Sequence, residues 1–172
     1  EGLRADIRKN LEREVKFRLL ARNKNAVMDA LINSAELDLP KASIQAEVNA
    51  MAQAARQDLV QRGMKDAANA ELPAELFQPQ AERRVRLVLI VPELVRAENL
   101  LATPEQVKAY IDDLSASYEK PEEVARWYLN DQQRMAEIEA VVTEANVTDL
   151  VLGKAKVSDK QVSFQELMDQ PV

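Results

Sequence analysis

Aliphatic residues return every three or four positions through the long charged stretches of this chain, and only three glycines, at positions 2, 63 and 153, interrupt them. A period near 3.6 gathers such residues on one side of a helix, so the pattern commits most of the chain to amphipathic helices. Leu, Val, Ile and Ala must fill the interior, because aromatic residues make up only 4% of the sequence. With 47% apolar residues, 172 positions suffice for a sizeable core in one or two small domains.

The first helix is expected from about Ala5 to Asn33. Ile7, Leu11, Val15 and Leu19 follow four-residue steps, and Val27, Met28, Leu31 and Ile32 continue the line. Pro40 opens a second helix with Ile44, Val48, Met51, Ala55 and Leu59 on one side, and Gly63 is placed to stop it. Residues 64–72 read as a loop or a short helical turn. A third stretch runs from Leu72 to about Asn99.

Within that stretch, Arg83 to Val91 has the β-branched content of a strand. Val85, Val88 and Leu89 nevertheless sit at helical spacing between charged helix formers, which favours helix. Pro79 and Pro92 are each expected to remove an interior hydrogen bond or impose a kink.

Thr103-Pro104-Glu105-Gln106 has the form of a capping box, opening a helix that carries Val107, Ile111, Leu114 and Tyr118. Pro121 starts a short helix with Val124, Trp127 and Tyr128 sharing a face. Asn130-Asp131-Gln132-Gln133 caps another, with Met135, Ile138, Val142, Ala145 and Leu152 as its stripe and Gly153 at its end. Val157 begins an extended segment, and Ser163-Phe164-Gln165-Glu166 opens a last short helix. No repeat of fixed period is present.

The chain has no histidine and no cysteine, which removes the usual general bases, thiol nucleophiles and soft metal ligands. The 29 Asp and Glu residues fall at helical spacing by chance, as in Glu12–Lys16 and Glu71–Glu75, and read as solvated faces. Asp112-Asp113 and Glu122-Glu123 are neighbours on helices and point about 100° apart, so neither pair converges on one ion. Three glycines cannot build a phosphate loop. No catalysis, cofactor or metal is expected.

A net charge of −6 opposes binding to nucleic acid. The best basic cluster, Arg83-Arg84-Val85-Arg86, reads as a solvated face or a set of salt bridges. No stretch approaches the ~20 apolar residues that cross a bilayer, so no membrane partner is expected. Absent cysteines exclude disulfides without fixing the compartment. The chain opens Glu1-Gly2-Leu3-Arg4, without an initiator Met or a signal peptide, and reads as a piece of something larger.

Leu114, Tyr118, Val124, Trp127 and Tyr128 gather two of the three tyrosines and the only tryptophan across one helix–turn–helix. They are either an ordinary local core or a partly exposed patch that grips other proteins. Met28, Met51, Met64, Met135 and Met168 raise the same question, with core filling favoured.

Several segments in order along the chain resemble the C-terminal domain of the bacterial trigger factor family. They are Arg8-Lys9-Asn10-Leu11-Glu12-Arg13-Glu14, Glu71-Leu72-Pro73-Ala74-Glu75-Leu76-Phe77, Ala116-Ser117-Tyr118-Glu119-Lys120-Pro121-Glu122-Glu123-Val124, Leu152-Gly153-Lys154-Ala155-Lys156-Val157 and Phe164-Gln165-Glu166-Leu167-Met168. The resemblance implies an all-α, elongated multi-helix domain over residues 1–172, with a long first helix and two protruding helical arms forming a cradle. It also implies that residues 83–91 are helical.

The function so implied is that of an ATP-independent cytoplasmic chaperone domain for unfolded or nascent polypeptides. Ribosome docking and prolyl isomerase activity would belong to domains outside this chain. By position, Leu114, Tyr118, Val124, Trp127 and Tyr128 fall on client-contacting positions of one arm, and Leu76, Phe77, Val85, Val88 and Leu89 fall near the other. Physics suits the reading: several weak, adaptable patches hold a client through effective concentration, and release needs no nucleotide. The competing expectations are a periplasmic chaperone of similar build and an inert structural or oligomerisation module. Self-association stays open.

Overall fold

The computed structural model describes residues 2–64, 66, 71–116 and 118–169. Among these residues it contains seven α-helices and no strand. In order they are α1 (Gly2–Ser34), α2 (Lys41–Gln61), α3 (Gln78–Glu98), α4 (Pro104–Ser115), α5 (Pro121–Leu129), α6 (Gln132–Lys154) and α7 (Phe164–Asp169), with a 3₁₀ turn at Ala74–Leu76. Two compact units emerge, Glu1–Ala30 with Leu94–Val172, and Leu31–Glu93. The chain passes between them inside α1 and again inside α3, one residue after Pro92.

In the first unit, α4, α5 and α6 close on one another. Val107 and Ile111 of α4 meet Ile138 and Val142 of α6, and Ala102, Tyr110, Ala125, Tyr128 and Met135 pack around them. Burying an aliphatic side chain of this size contributes about 1.5–3 kcal/mol. Each helix start is fixed locally. Thr103 Oγ1 accepts from the Gln106 backbone N–H at 3.3 Å while Gln106 Oε1 accepts from the Thr103 N–H at 3.0 Å, the reciprocal capping box. Pro121 occupies the first position of α5, where a missing N–H is harmless.

The corner leading into α4 is tied to α6 by side chains. Asn146 Nδ2 donates to the Leu100 carbonyl at 3.1 Å, and the Asn146 and Gln106 amides exchange hydrogen bonds at 2.9 and 3.1 Å. Thr143 Oγ1 accepts from the Ala102 N–H at 3.1 Å. α1 buries Val27 and Met28. Nearer its start it is held by polar contacts: Lys24 to Glu144 at 2.8 Å, Arg18 to the Met168 carbonyl at 2.9 Å and Lys16 to Asp113 at 3.6 Å.

In the second unit, α2 buries Val48 and Ala52, and α3 contributes Ala81 and Val85. Gly63 takes φ +94° after α2. Its N–H reaches the Val60 carbonyl and the Met64 N–H reaches the Leu59 carbonyl, both at 3.0 Å, the double bond of a Schellman stop. Asn99 (φ +55°) ends α3 similarly, with the Leu100 N–H on the Val95 carbonyl at 3.0 Å.

Residues 83–91 are helix, as expected, and the three- and four-residue spacing that buries Ala81, Val85 and Val95 outweighs the strand-like composition. Several other expectations need correction. Pro79 removes no interior bond, because it is the second residue of α3, where backbone donors are unpaired anyway. Pro92 is inside the helix and does remove the bond to the Val88 carbonyl. Both residues are exposed, so water can meet that carbonyl.

Gly153 does not end α6, which continues to Lys154 and leaves through an extended Ala155 that needs no left-handed residue. Ala145 is exposed, whereas Val147 and Thr148 are buried beside the expected stripe, the Thr148 hydroxyl donating to the Glu144 carbonyl at 2.9 Å. Of residues 64–72, positions 65 and 67–70 lie outside the described residues.

Candidate functional site

The five residues singled out around the α4–α5 turn do not share one environment. Tyr128 packs on the Val107–Ile111–Ile138–Val142 core, and Leu114 and Val124 are half-buried. Tyr118 and Trp127 stand 55% and 52% exposed. Leu129, which was not anticipated, is exposed as well. Part of the cluster is therefore local core, and part is exposed surface.

Trp127 is exposed without being loose. Its ring meets Tyr128 edge to face, with centroids 4.9 Å apart and planes at 83°. The Arg134 guanidinium lies 3.5 Å from the Trp127 ring centroid and donates from Nη1 to the Trp127 carbonyl at 2.8 Å. Cation–π contacts at such sites are worth about 0.5–1 kcal/mol.

Arg134 is aimed in turn by Asp131, whose carboxylate approaches Nη2 at 3.5 Å. The same carboxylate caps α6 by accepting from the Gln133 and Arg134 N–H groups at 2.9 and 3.1 Å. The Arg134 N–H is the largest influence holding the Asp131 carboxyl below its ordinary pKa, with the Arg134 charge and the Gln133 N–H adding to it. Glu105, in the first turn of α4, is lowered by its own backbone N–H and then by the Thr103 hydroxyl. Neither carboxylate is arranged for proton transfer; both serve helix starts.

In the second unit, Leu76 and Val88 are each 69% exposed, Leu89 is exposed and Phe77 half-buried. Val85 is only 8% exposed and belongs to the interior. In the same unit a cleft of about 490 Å³ is lined by the apolar Leu37, Leu39, Ile44 and Val48 and by the polar Lys41, Gln78, Glu82 and Arg86. Within the basic cluster, Arg84 pairs with Glu47 and Arg86 lines the cleft. Sequence reasoning missed Arg134 and the cleft. The Asp131 cap was visible as a motif, but nothing in the pattern placed Arg134 over the ring seven residues earlier.

Among the described residues no three carboxylates gather as a metal would need, and no helix is long and apolar enough to cross a membrane. What the fold and these surfaces define is an all-α multi-helix domain that presents supported apolar side chains to its surroundings. Residues 1–153 match the family model described as bacterial trigger factor protein C-terminus. Proteins named trigger factor from Acidovorax sp. (strain JS42) and Variovorax paradoxus (strain S110) are each 71% identical over 170 residues, covering 99% of this chain and 39% of the relative. The trigger factor of Delftia acidovorans is 69% identical over the same span. The chain belongs to the trigger factor C-terminal family, and it spans about two fifths of the length of these relatives.

Proposed function

We propose that this chain is the ATP-independent chaperone domain of a cytoplasmic trigger factor, binding exposed apolar segments of nascent or unfolded polypeptides. The observation that carries the proposal is Trp127: a large ring left half open to solvent yet fixed by Tyr128 and Arg134. A ring held in place loses little side-chain freedom on binding, which is why such anchors dominate protein interfaces. Tyr118, Leu129, Leu114 and Val124 extend that grip, and Leu76, Phe77, Val88 and Leu89 supply a second, with Val85 supporting it from beneath.

Two weak patches on one chain hold a client more tightly than either alone, through effective concentration. Ribosome docking and prolyl isomerase activity are assigned to other parts of the full-length protein. Membership of the trigger factor family is the reason to prefer this reading to a periplasmic chaperone of similar build.

An inert module requires the Tyr118–Trp127 region to be covered. It is open within this chain, so a fixed self-interface or another part of a longer protein would have to cover it. The direct test adds the purified chain to a denatured client at near-stoichiometric ratio and follows light scattering. Delayed aggregation, with a client-dependent shift in Trp127 emission, is expected. Undelayed aggregation with unresponsive emission sinks the proposal.

A further inference from the structure

Arg86 stands apart from its neighbours in the arginine cluster. Arg84 has its carboxylate in Glu47. Arg86 is half-buried, and its Nε is buried without a hydrogen-bond partner among the described residues. Glu82, one helical turn earlier, accepts from Gln78 Nε2 at Oε1 (3.1 Å) and does not satisfy the Arg86 Nε. A guanidinium donor shielded from water and left unpaired is costly, so a residue kept this way marks a place where a partner is expected to arrive.

The surroundings state what kind of partner fits. Arg86 and Lys41 bring two cations to the cleft against the single carboxylate of Glu82, in a chain whose net charge is −6. Leu37, Leu39, Ile44 and Val48 supply its apolar lining. At about 490 Å³ the cleft holds a few side chains rather than a folded element.

We infer that this cleft is a client subsite for an extended segment in which an Asp or Glu side chain is flanked by aliphatic residues. The inference rests on the chaperone reading above and refines it. The aliphatic residues settle on the Leu37–Val48 wall while the carboxylate meets the Arg86 fork, which turns outward to donate from Nε and Nη together. Lys41 adds charge at the mouth without fixing geometry. The subsite gives a grip governed by apolar contact a local preference for one sign of charge.

The test uses two labelled peptides, an aliphatic sequence with one central Asp and its Asn twin. Both are acetylated and amidated, so that no terminal carboxylate competes. Fluorescence anisotropy reads binding to the unmodified chain, to R86M and to R62Q. The last removes an equal charge from the end of α2, where Arg62 pairs with Asp58. R86M should fold, since it exchanges an unpaired buried donor for apolar volume, and far-UV circular dichroism checks this.

The expected result is about tenfold tighter binding of the Asp peptide, retained in R62Q and lost in R86M. R86K, with charge but no fork, should keep only part of the preference. Equal affinity for both peptides, or a preference that survives R86M, overturns the inference. So does failure of both peptides to bind while denatured clients are still held, an outcome that leaves the chaperone reading standing. If clients are not held either, that reading has failed first.

Discussion

The turn around Trp127 and the first half of α1 both expose apolar side chains, and they do so in different ways. On α1, Ile7, Leu11, Phe17, Leu19 and Leu20 stand exposed along a helix that reaches its unit through a Lys16–Asp113 ion pair and an Arg18 contact to the Met168 carbonyl. At Trp127, the ring has a neighbour at its edge, a cation on its face, and a carboxylate that aims the cation and caps the next helix. Exposure alone is ordinary on a protein surface, since most accessible area is apolar anyway. On the proposed function, exposure held in place by dedicated contacts is what separates a client anchor from an uncovered stripe.

The largest test of this contrast removes the base on which the anchor stands. Ile111→Ala should cost about 2–5 kcal/mol, because a 2% exposed side chain at the α4–α6 contact leaves a cavity. Urea unfolding read by circular dichroism checks it, and client holding should fall in step. Next, Thr103→Ala removes the hydroxyl half of the capping box and should lower stability by about 0.5–2 kcal/mol in the same assay.

A smaller effect should follow Arg134→Met. Loss of the cation–π contact frees the ring and should lower stability by about 0.5–1 kcal/mol, with a changed Trp127 emission and weaker client holding. Leu20→Ser on α1 should change stability by no more than about 0.5 kcal/mol and leave client holding intact. Equal loss of holding from both variants would erase the distinction drawn here.

The smallest effect concerns acid. Asp131 has a pKa lowered by folding, so its contribution is complete above the unfolded value and fades as pH falls through the folded one. Asp131→Asn should therefore flatten stability against pH on the acid side only, visible in thermal melts between pH 2 and 5.

Much of the fold could be read before any coordinates, because helix starts and stops are local chemistry. Thr103–Gln106, Pro121, Asp131 and Gly63 act where their side chains or backbone predict. Gly153 misled because a helix can also leave through an extended residue, and nothing near it in sequence distinguishes the two exits. The candidate surfaces were only half legible. Spacing put Tyr128 and Trp127 on one face, but they are adjacent residues, and which ring turns inward was decided by Ile111 and Ile138 arriving from elsewhere in the chain. The cleft was invisible for the same reason: its walls are drawn from residues 37–48 and 74–86.

The bend from α3 into α4 shows what such local control makes possible. Asn99 halts one helix and Thr103 launches the next within five residues, before any distant part of the polypeptide is needed. An emerging polypeptide could thus set this elbow early and wait for Thr143 and Asn146 to latch it once α6 has been made.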